Sequence, residues 1–289
     1  MGRIARGAGG SYGRRTAEMS GRAVRAPGFR GVVVGVTANR RRGLVWTVVL
    51  GGVVVAAAGC GADAGDDASP DHRSFALHGR TLTVDSDDST LVLVPGDGDR
   101  VRVTRWFKGK VVLGGDPEVS WKVDGDRLVL RTHCSGLVAD CSAKHRIEVP
   151  RGISVKVTED DGGVTARGFR SGLDIRTADG SVRVSDVTGP LSLHSDDGSV
   201  RATGVGSRSV RVGTQDGSVH LALNAVPDRV AAESHDGSLH LTLPHATYRV
   251  TARATDGSVH VSVPRDESSA HVIGARTEDG SVTVSPAPE

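Results

Sequence analysis

Asp179-Gly180-Ser181-Val182 is the stretch that decides the fold, because close copies of it return along the chain. The steps from copy to copy are 18 to 23 residues when a degenerate copy, Asp161-Gly162-Gly163-Val164, is included. A period near twenty residues is typical of repeat architectures. The six Asp-Gly pairs are Asp179-Gly180, Asp197-Gly198, Asp216-Gly217, Asp236-Gly237, Asp256-Gly257 and Asp279-Gly280.

Each repeat is wider than its tetrapeptide. In the first full copy, Leu173, Ile175 and Thr177 stand six, four and two residues before the aspartate, and Val182 and Val184 follow it. The same apolar and Ser/Thr positions return in the later copies. This alternation predicts two short strands per repeat, each with one apolar face. We expect Asp-Gly to supply the positive φ of the tight turn between them.

Two all-β folds fit this pattern, a meander of hairpins and a β-solenoid. In a solenoid, equivalent residues of successive repeats stack at the strand spacing of about 4.8 Å. Stacking requires the same residue type at the same place in every repeat, whereas hairpins alone do not. The sequence therefore favours the β-solenoid, with the Ser/Thr column inside and its hydroxyls bonded along the stack or to the turns.

Composition and charge restrict the function. Aromatic residues make up 3% of the chain, which suits a thin core of aliphatic columns better than a large globular core. Residues 1–59 hold ten arginines and one acid, a charge of +9, so the remainder carries −7 of the net +2. Removal of the N-terminus would leave an acidic domain, which argues against nucleic acid as a partner.

The N-terminal segment predicts export and a lipid anchor. Arg40-Arg41-Arg42 precedes an apolar run over residues 43–58, and Gly59-Cys60 follows. This ending resembles the lipobox of bacterial lipoproteins, which implies cleavage after Gly59, fatty acylation (palmitate) of Cys60 and a place on the extracytoplasmic face of the cell membrane. Ala57 departs from the leucine usual there, and an ordinary signal peptide or a short membrane anchor remains the alternative. Residues 1–35 precede this signal, either as a start site placed too far upstream or as a cytoplasmic extension.

Three segments follow from these observations. Residues 1–59 hold the N-terminal extension and the lipoprotein signal peptide. Residues 60–74 are small and acidic, and predict a flexible tether. Residues 75–289 form the β-repeat domain, in which 75–152 are a less regular N-terminal cap and 153–285 are the regular repeats.

Cys134 and Cys141 are the other two cysteines of the chain. In an exported protein they predict a disulfide. A metal site that adds His133 or His145 to this pair is the weaker alternative.

With these features together, the chain resembles the DUF4097 family of adhesin-like β-strand-repeat proteins of the bacterial envelope. The matching features are the Thr/Ser-x-Asp-Gly-Ser-Val-x-Val units, the less regular β region before them, and a cysteine-containing segment before Glu148-Val149-Pro150. The resemblance covers about residues 75–285. It implies a β-solenoid surface domain and transfers no catalytic residue.

One outward column is a candidate binding face. It lies four residues after each aspartate and comprises Arg183, Arg201, His220, His240, His260 and Thr283. Three histidines on successive rungs could bind a metal or a polyanion, although a solvated ladder explains them more simply. The aspartate column could suggest calcium, but turn chemistry accounts for it without an ion. We therefore expect no metal, no cofactor and no catalytic residue.

The sequence predicts a non-enzymatic lipoprotein that presents a β-repeat surface for adhesion or ligand binding, with cell-wall or extracellular glycan as partner. The alternative is an envelope assembly or signalling protein that binds a protein partner by edge pairing at the C-terminal rung, because Val282 and Val284 have no following repeat. A polysaccharide-active β-helix enzyme is less favoured, because the short connections leave little material for a cleft.

Overall fold

The computed structural model describes residues 64–288, which form an all-β domain with a single short 3-10 helix, Ala64–Asp66. The segment predicted to be a signal peptide and the predicted lipidation site Cys60 lie outside the described residues. No helix within 64–288 has the length and apolar character needed to cross a membrane. The 19 strands are β1 Asp71–Ala76, β2 Thr81–Ser86, β3 Thr90–Gly96, β4 Arg100–Gly114, β5 Glu118–Asp124, β6 Arg127–His133, β7 Gly136–Pro150, β8 Ser154–Glu159, β9 Val164–Arg167, β10 Leu173–Thr177, β11 Val182–Ser185, β12 Leu191–Ser195, β13 Val200–Val205, β14 Ser209–Asp216, β15 Val219–Leu223, β16 Arg229–Asp236, β17 Leu239–Leu243, β18 Arg249–Val261 and β19 Val272–Pro286.

The strands stack in parallel as the rungs of a β-solenoid, and the meander of hairpins is excluded. In β10 and β12, Leu173 pairs with Leu191, and Thr177 pairs with Ser195, which is one repeat further along the chain. In β11 and β13, Val182 pairs with Val200 in the same way. Each rung therefore contributes one strand to each of two faces, and its equivalent residues lie directly above those of the previous rung.

The core is a set of aliphatic columns between these two faces. Ile175, Leu193 and Val212 are almost fully buried and stack in successive rungs. Burial of each such side chain stabilises the fold by roughly 1.5–3 kcal/mol. Every member of the core cluster falls between Leu82 and Val284, so residues 61–289 contain a complete core of their own.

The rungs do not follow chain order at either end. At the N-terminal end, β2 lies between β6 and β8, and β3 lies between β7 and β9, so β6/β7 forms the outer rung. Antiparallel strands extend this end, because β5 pairs with β6, β4 with β7, and β1 with β4. The segment predicted to be a cap thus supplies two parallel rungs as well as these additions.

At the C-terminal end, β19 lies between β16/β17 and β18. Val282 of β19 pairs with Leu239 on one side and with Val259 of β18 on the other. The prediction that the last strand offers a free edge is therefore wrong. The outer strand at this end is β18, and the last strand of the chain is paired on both sides.

The ordered domain begins before residue 75, inside the segment predicted to be a flexible tether. Ala64 is buried, and the Asp67 carboxylate accepts a hydrogen bond from the Phe107 backbone N–H at 3.1 Å. Asp71 pairs with Arg105 in the sheet and also forms an ion pair with its guanidinium. These acidic residues are ordered because β4 offers them a strand edge and a cation.

Candidate functional site

A ladder of hydroxyl groups ties the turns of neighbouring rungs together. Ser195 donates a hydrogen bond to the carbonyl oxygen of Gly180 over 2.8 Å, and Thr214 donates to Gly198 over 2.9 Å. Ser234 and Thr277 repeat the contact with Gly217 and Gly237. The predicted Ser/Thr column therefore lies inside, and each hydroxyl satisfies a turn carbonyl of the rung before it.

The glycines of the turns are required by the stacking, not mainly by their φ angles. Gly180, Gly198 and Gly217 do not have positive φ, unlike Gly280 at 141°. A Cβ on Gly217 would lie 2.5 Å from the carbonyl oxygen of Gly198. The explanation from positive φ thus fails for these repeats, because the close approach of two backbones is what excludes a side chain.

The turn aspartates form an exposed column of like charges. A side-chain hydrogen bond with Asp216 and then partial desolvation raise the pKa of Asp197, and the neighbouring Asp179 adds to the shift. Within residues 64–288, no group of three or more His, Cys, Asp or Glu side chains is arranged to hold a metal ion.

The candidate column of arginines and histidines is present, but its order differs from the prediction. Arg201 pairs with His220, and His220 pairs with His240, whose rings stack with centroids 4.9 Å apart. His240 and His260 both pair with Thr283, which separates them. Partial burial, and then the positive charge of Arg201, lower the pKa of His220. The three histidines are therefore not on successive rungs, because β19 inserts between β17 and β18.

The opposite face of the solenoid carries two adjoining grooves that the sequence analysis did not identify. Their volumes are about 410 and 320 Å³, and they share Ser192 and Arg211. Residues of β8, β10, β12, β14 and β16 line most of their length. The charged side chains and histidines among the lining residues are Lys156, Asp174, Arg176, His194, Arg211, Arg229, Glu233 and His235.

Arg211 stands where the two grooves meet. Within the described part of the chain, its guanidinium forms no ion pair or side-chain hydrogen bond, so it is available to a ligand. Gly213 lines the second groove, where an added Cβ would come within 3.3 Å of both the His194 ring and the Glu233 carbonyl oxygen. Arg211 and Gly213 stand five and three residues before Asp216. The spacing of the repeats could therefore have located both columns of residues from the sequence.

Glu159 replaces the hydroxyl in one rung of the inner ladder. It pairs with Ser86 on one side and Thr177 on the other, and it is 1% exposed. Its Oε1 accepts a hydrogen bond from the Ser89 N–H at 3.0 Å, while Oε2 is buried without a partner. Burial raises the pKa of Glu159 to about 8. This residue stands two before Asp161 of the degenerate repeat, at the place where other repeats have Ser or Thr.

Cys134 and Cys141 form the predicted disulfide, with a Cα–Cα distance of 6.4 Å. His145 is fully buried on β7, and burial, followed by the charge of Arg105, lowers its pKa to about 4. The disulfide uses both thiols and leaves no thiolate for the alternative metal site.

The comparison with known protein families identifies the chain. The model of the Toastrack DUF4097 family matches residues 79–288. The chain belongs to the DUF4097 family. The matched range includes every parallel rung described above, and the family's β-solenoid fold is the one that the strand register shows.

The solved structures to which the chain is similar include three from bacteria. A "putative adhesin" from Bacteroides fragilis is 15% identical, with 76% of this chain and 98% of that chain covered and a TM-score of 0.44. A "putative adhesin" from Parabacteroides merdae is 10% identical, with 76% and 97% covered and a TM-score of 0.36. A "putative cell adhesion protein" from Clostridium sporogenes is 10% identical, with 76% and 100% covered and a TM-score of 0.30. No curated protein is significantly similar in sequence to this DUF4097 chain.

Proposed function

We propose that this DUF4097 protein is a non-enzymatic binding protein of the bacterial envelope that holds an extended acidic glycan along its grooved face. The observation that carries the proposal is the pair of adjoining grooves with the unpartnered Arg211 between them. Guanidinium groups bind carboxylates and phosphates in bidentate fashion, so Arg211 and Arg176 suit the acidic groups of such a polymer.

The grooves suit a polymer better than a small molecule. They cross several rungs, and side chains from equivalent positions follow one another along them at about 4.8 Å, although their type changes from rung to rung. Each rung adds a weak contact, and many weak contacts on one chain give avidity. Asp174 and Glu233, which line the same grooves, can accept hydrogen bonds from sugar hydroxyls.

The shifted titratable groups inside the domain support binding rather than catalysis. Within residues 64–288, the pKa values of His145 and Glu159 are strongly shifted, and both side chains are buried in the core. A substrate in the lateral grooves reaches neither of them. A general acid or base must lie within hydrogen-bond reach of the reacting group.

The test compares two matched double variants on opposite faces. Residues 61–289 would be mixed with isolated cell-wall glycan and sedimented, as wild type, as Arg176→Ser/Arg211→Ser and as Arg183→Ser/Arg201→Ser. Each variant removes two arginines, so both change the net charge equally. We expect only the groove variant to lose retention on the glycan. Equal loss in both would show non-specific charge attraction, and capture of one envelope protein without glycan retention would favour the alternative function.

Anchoring through Cys60 is a separate part of the proposal. We expect the precursor to incorporate labelled fatty acid and the Cys60→Ser variant to incorporate none. Labelling of the Cys60→Ser variant would place the lipid elsewhere and contradict the assignment.

A further inference from the structure

The solenoid ends in an unusually long open strand edge. β18 pairs with β19 at twelve positions, from Arg249 opposite Val272 to Val261 opposite Val284. Within the described residues, no strand pairs with its other side. Open edges are commonly blocked by proline, lysine or a bulge, and β18 contains neither proline nor lysine.

The free side of β18 presents hydrogen-bonding groups in two stretches, one before and one after Thr255, where the pairing with β19 is interrupted. The Arg249 N–H donates to the His271 carbonyl, and the Ser262 N–H donates to Val284, both toward β19. Successive N–H groups of a strand point in opposite directions. Counted forward from Arg249, the N–H groups of Val250 and Ala252 therefore point to the open side. Counted back from Ser262, the N–H group of Val259 does so too.

The apolar column also ends uncovered at β18. Val250, Ala252 and Val261 pack against the core but remain partly exposed, and Val259 is 45% exposed. In contrast, Val282 in the rung below is fully buried. Ala254 takes the place of the Ser/Thr column here, so this rung lacks the hydroxyl that would bond to the turn of the β19 rung below it.

We propose that a second copy of this chain covers the edge, with the two β18 strands antiparallel about a two-fold axis. A register that places Val250 opposite the partner copy's Val259 also places Arg253 opposite Asp256, by counting along the two strands. Neither Arg253 nor Asp256 has an ion-pair partner within residues 64–288. The two-fold axis repeats this pairing, so Arg253 of each copy lies opposite Asp256 of the other copy and the interface contains two such charge pairs.

This arrangement is an isologous interface that closes at two copies. It joins the solenoids end to end. Both the grooved face and the opposite face, which carries Arg183 and Arg201, stay uncovered. The inference therefore stands apart from the proposed glycan binding, and the two can fail separately.

The test is the mass of residues 61–289 in solution, measured by light scattering or sedimentation over a range of concentrations. We expect a dimer for the wild type and a folded monomer for Ala252→Pro, because proline there removes an N–H that faces the open side. Thr251→Pro is the matched control. By the same alternation, the N–H of Thr251 faces β19. Thr251→Pro should therefore lower the melting temperature, because it removes a hydrogen bond inside the solenoid and not one at the open edge.

Charge variants keep the test decisive if Ala252→Pro does not fold. Arg253→Glu and Asp256→Arg should each weaken dimerisation by about tenfold, and the double variant should restore it, because the pair is exchanged rather than removed. A wild-type chain that stays monomeric would overturn the proposal. So would growth beyond two copies, a folded Ala252→Pro variant that remains dimeric, or a double variant without recovery.

Discussion

The hydroxyl of Thr214 donates a hydrogen bond to the carbonyl oxygen of Gly198, one rung earlier, over 2.9 Å. Thr214 is 4% exposed, so water cannot replace this donor. The contact joins two turns that are 16 residues apart in the chain. It shows that the turns are held between rungs as well as within them.

Thr214→Val should therefore destabilise the domain while keeping the shape of the side chain. We expect a loss of about 1–3 kcal/mol in the free energy of unfolding, because the partly buried Gly198 carbonyl loses its donor. Urea denaturation would measure it. Thr214→Ser keeps the hydroxyl and is the control; equal losses in the two variants would show that the methyl group, not the hydrogen bond, matters.

Gly217→Ala should be costly for a different reason. Its Cβ would lie 2.5 Å from the Gly198 carbonyl oxygen, and two stacked backbones cannot move apart without disturbing the neighbouring rungs. We expect a loss of about 2–3 kcal/mol in unfolding free energy. A Cβ on Gly115 meets nothing within 4 Å, so Gly115→Ala should change stability little. A neutral Gly217→Ala variant would refute the role assigned to the turn glycines.

Stability should fall at alkaline pH because of Glu159. Its pKa is about 8 in the folded chain, above the ordinary value of 4.5, and burial is the main cause while Asp87 and Asp160 add to it. The folded state therefore binds the proton more tightly, so the stabilisation present below pH 4.5 is lost as the pH rises toward 8. Between about pH 5.5 and pH 8.5 we expect a loss on the order of a few kcal/mol.

Glu159→Gln tests this directly, because the amide keeps the size of the side chain and cannot ionise. The loss of stability between the two pH values should shrink strongly in this variant. His145 acts in the opposite direction: its pKa of about 4 lies below 6.5, so the stability it contributes is lost as the pH falls between these values. An unchanged alkaline slope in Glu159→Gln would assign the effect to another group.

Reduction of the disulfide should weaken the N-terminal end of the stack. Cys134 and Cys141 lie seven residues apart, and closing so short a loop stabilises by about 2.5 kcal/mol in the chain-entropy model. Thermal unfolding of residues 61–289 with and without reductant would measure the effect. The Cys134→Ser/Cys141→Ser variant should match the reduced protein and should not respond to reductant.

The residues that face the core could be predicted from the sequence, because apolar and polar residues alternate along each strand. Ile175 and its equivalents, and the hydroxyl column through Thr177 and Ser195, followed from spacing alone. The order of the last two rungs could not be predicted in this way, since β18 and β19 carry the same motif. The replacement of a hydroxyl by Ala254 is the one local sign that β18 lies at the end.

The sequence analysis missed the grooved face because the residues on it do not repeat. Its outward columns change residue type at every rung, from Arg176 to His194 to Gly213 to Glu233, so no repetition drew attention to them. The column of Arg183 and Arg201 was found because it does repeat. Residues that repeat in every rung are the ones that stacking requires. Positions that depart from the repeat are the better candidates for binding a specific ligand.

The position of β19 between two other rungs restricts the order in which the strands can assemble as the chain is synthesised. β16 and β17, which pair with β14 and β15 on one side, obtain their second partner only when β19, Val272–Pro286, is made. β18 also pairs with β19, although β18 is made earlier. Assembly therefore cannot proceed as simple accretion from one end to the other. A chain that lacked Val272–Pro286 would therefore leave β16, β17 and β18 each without the pairing that β19 provides.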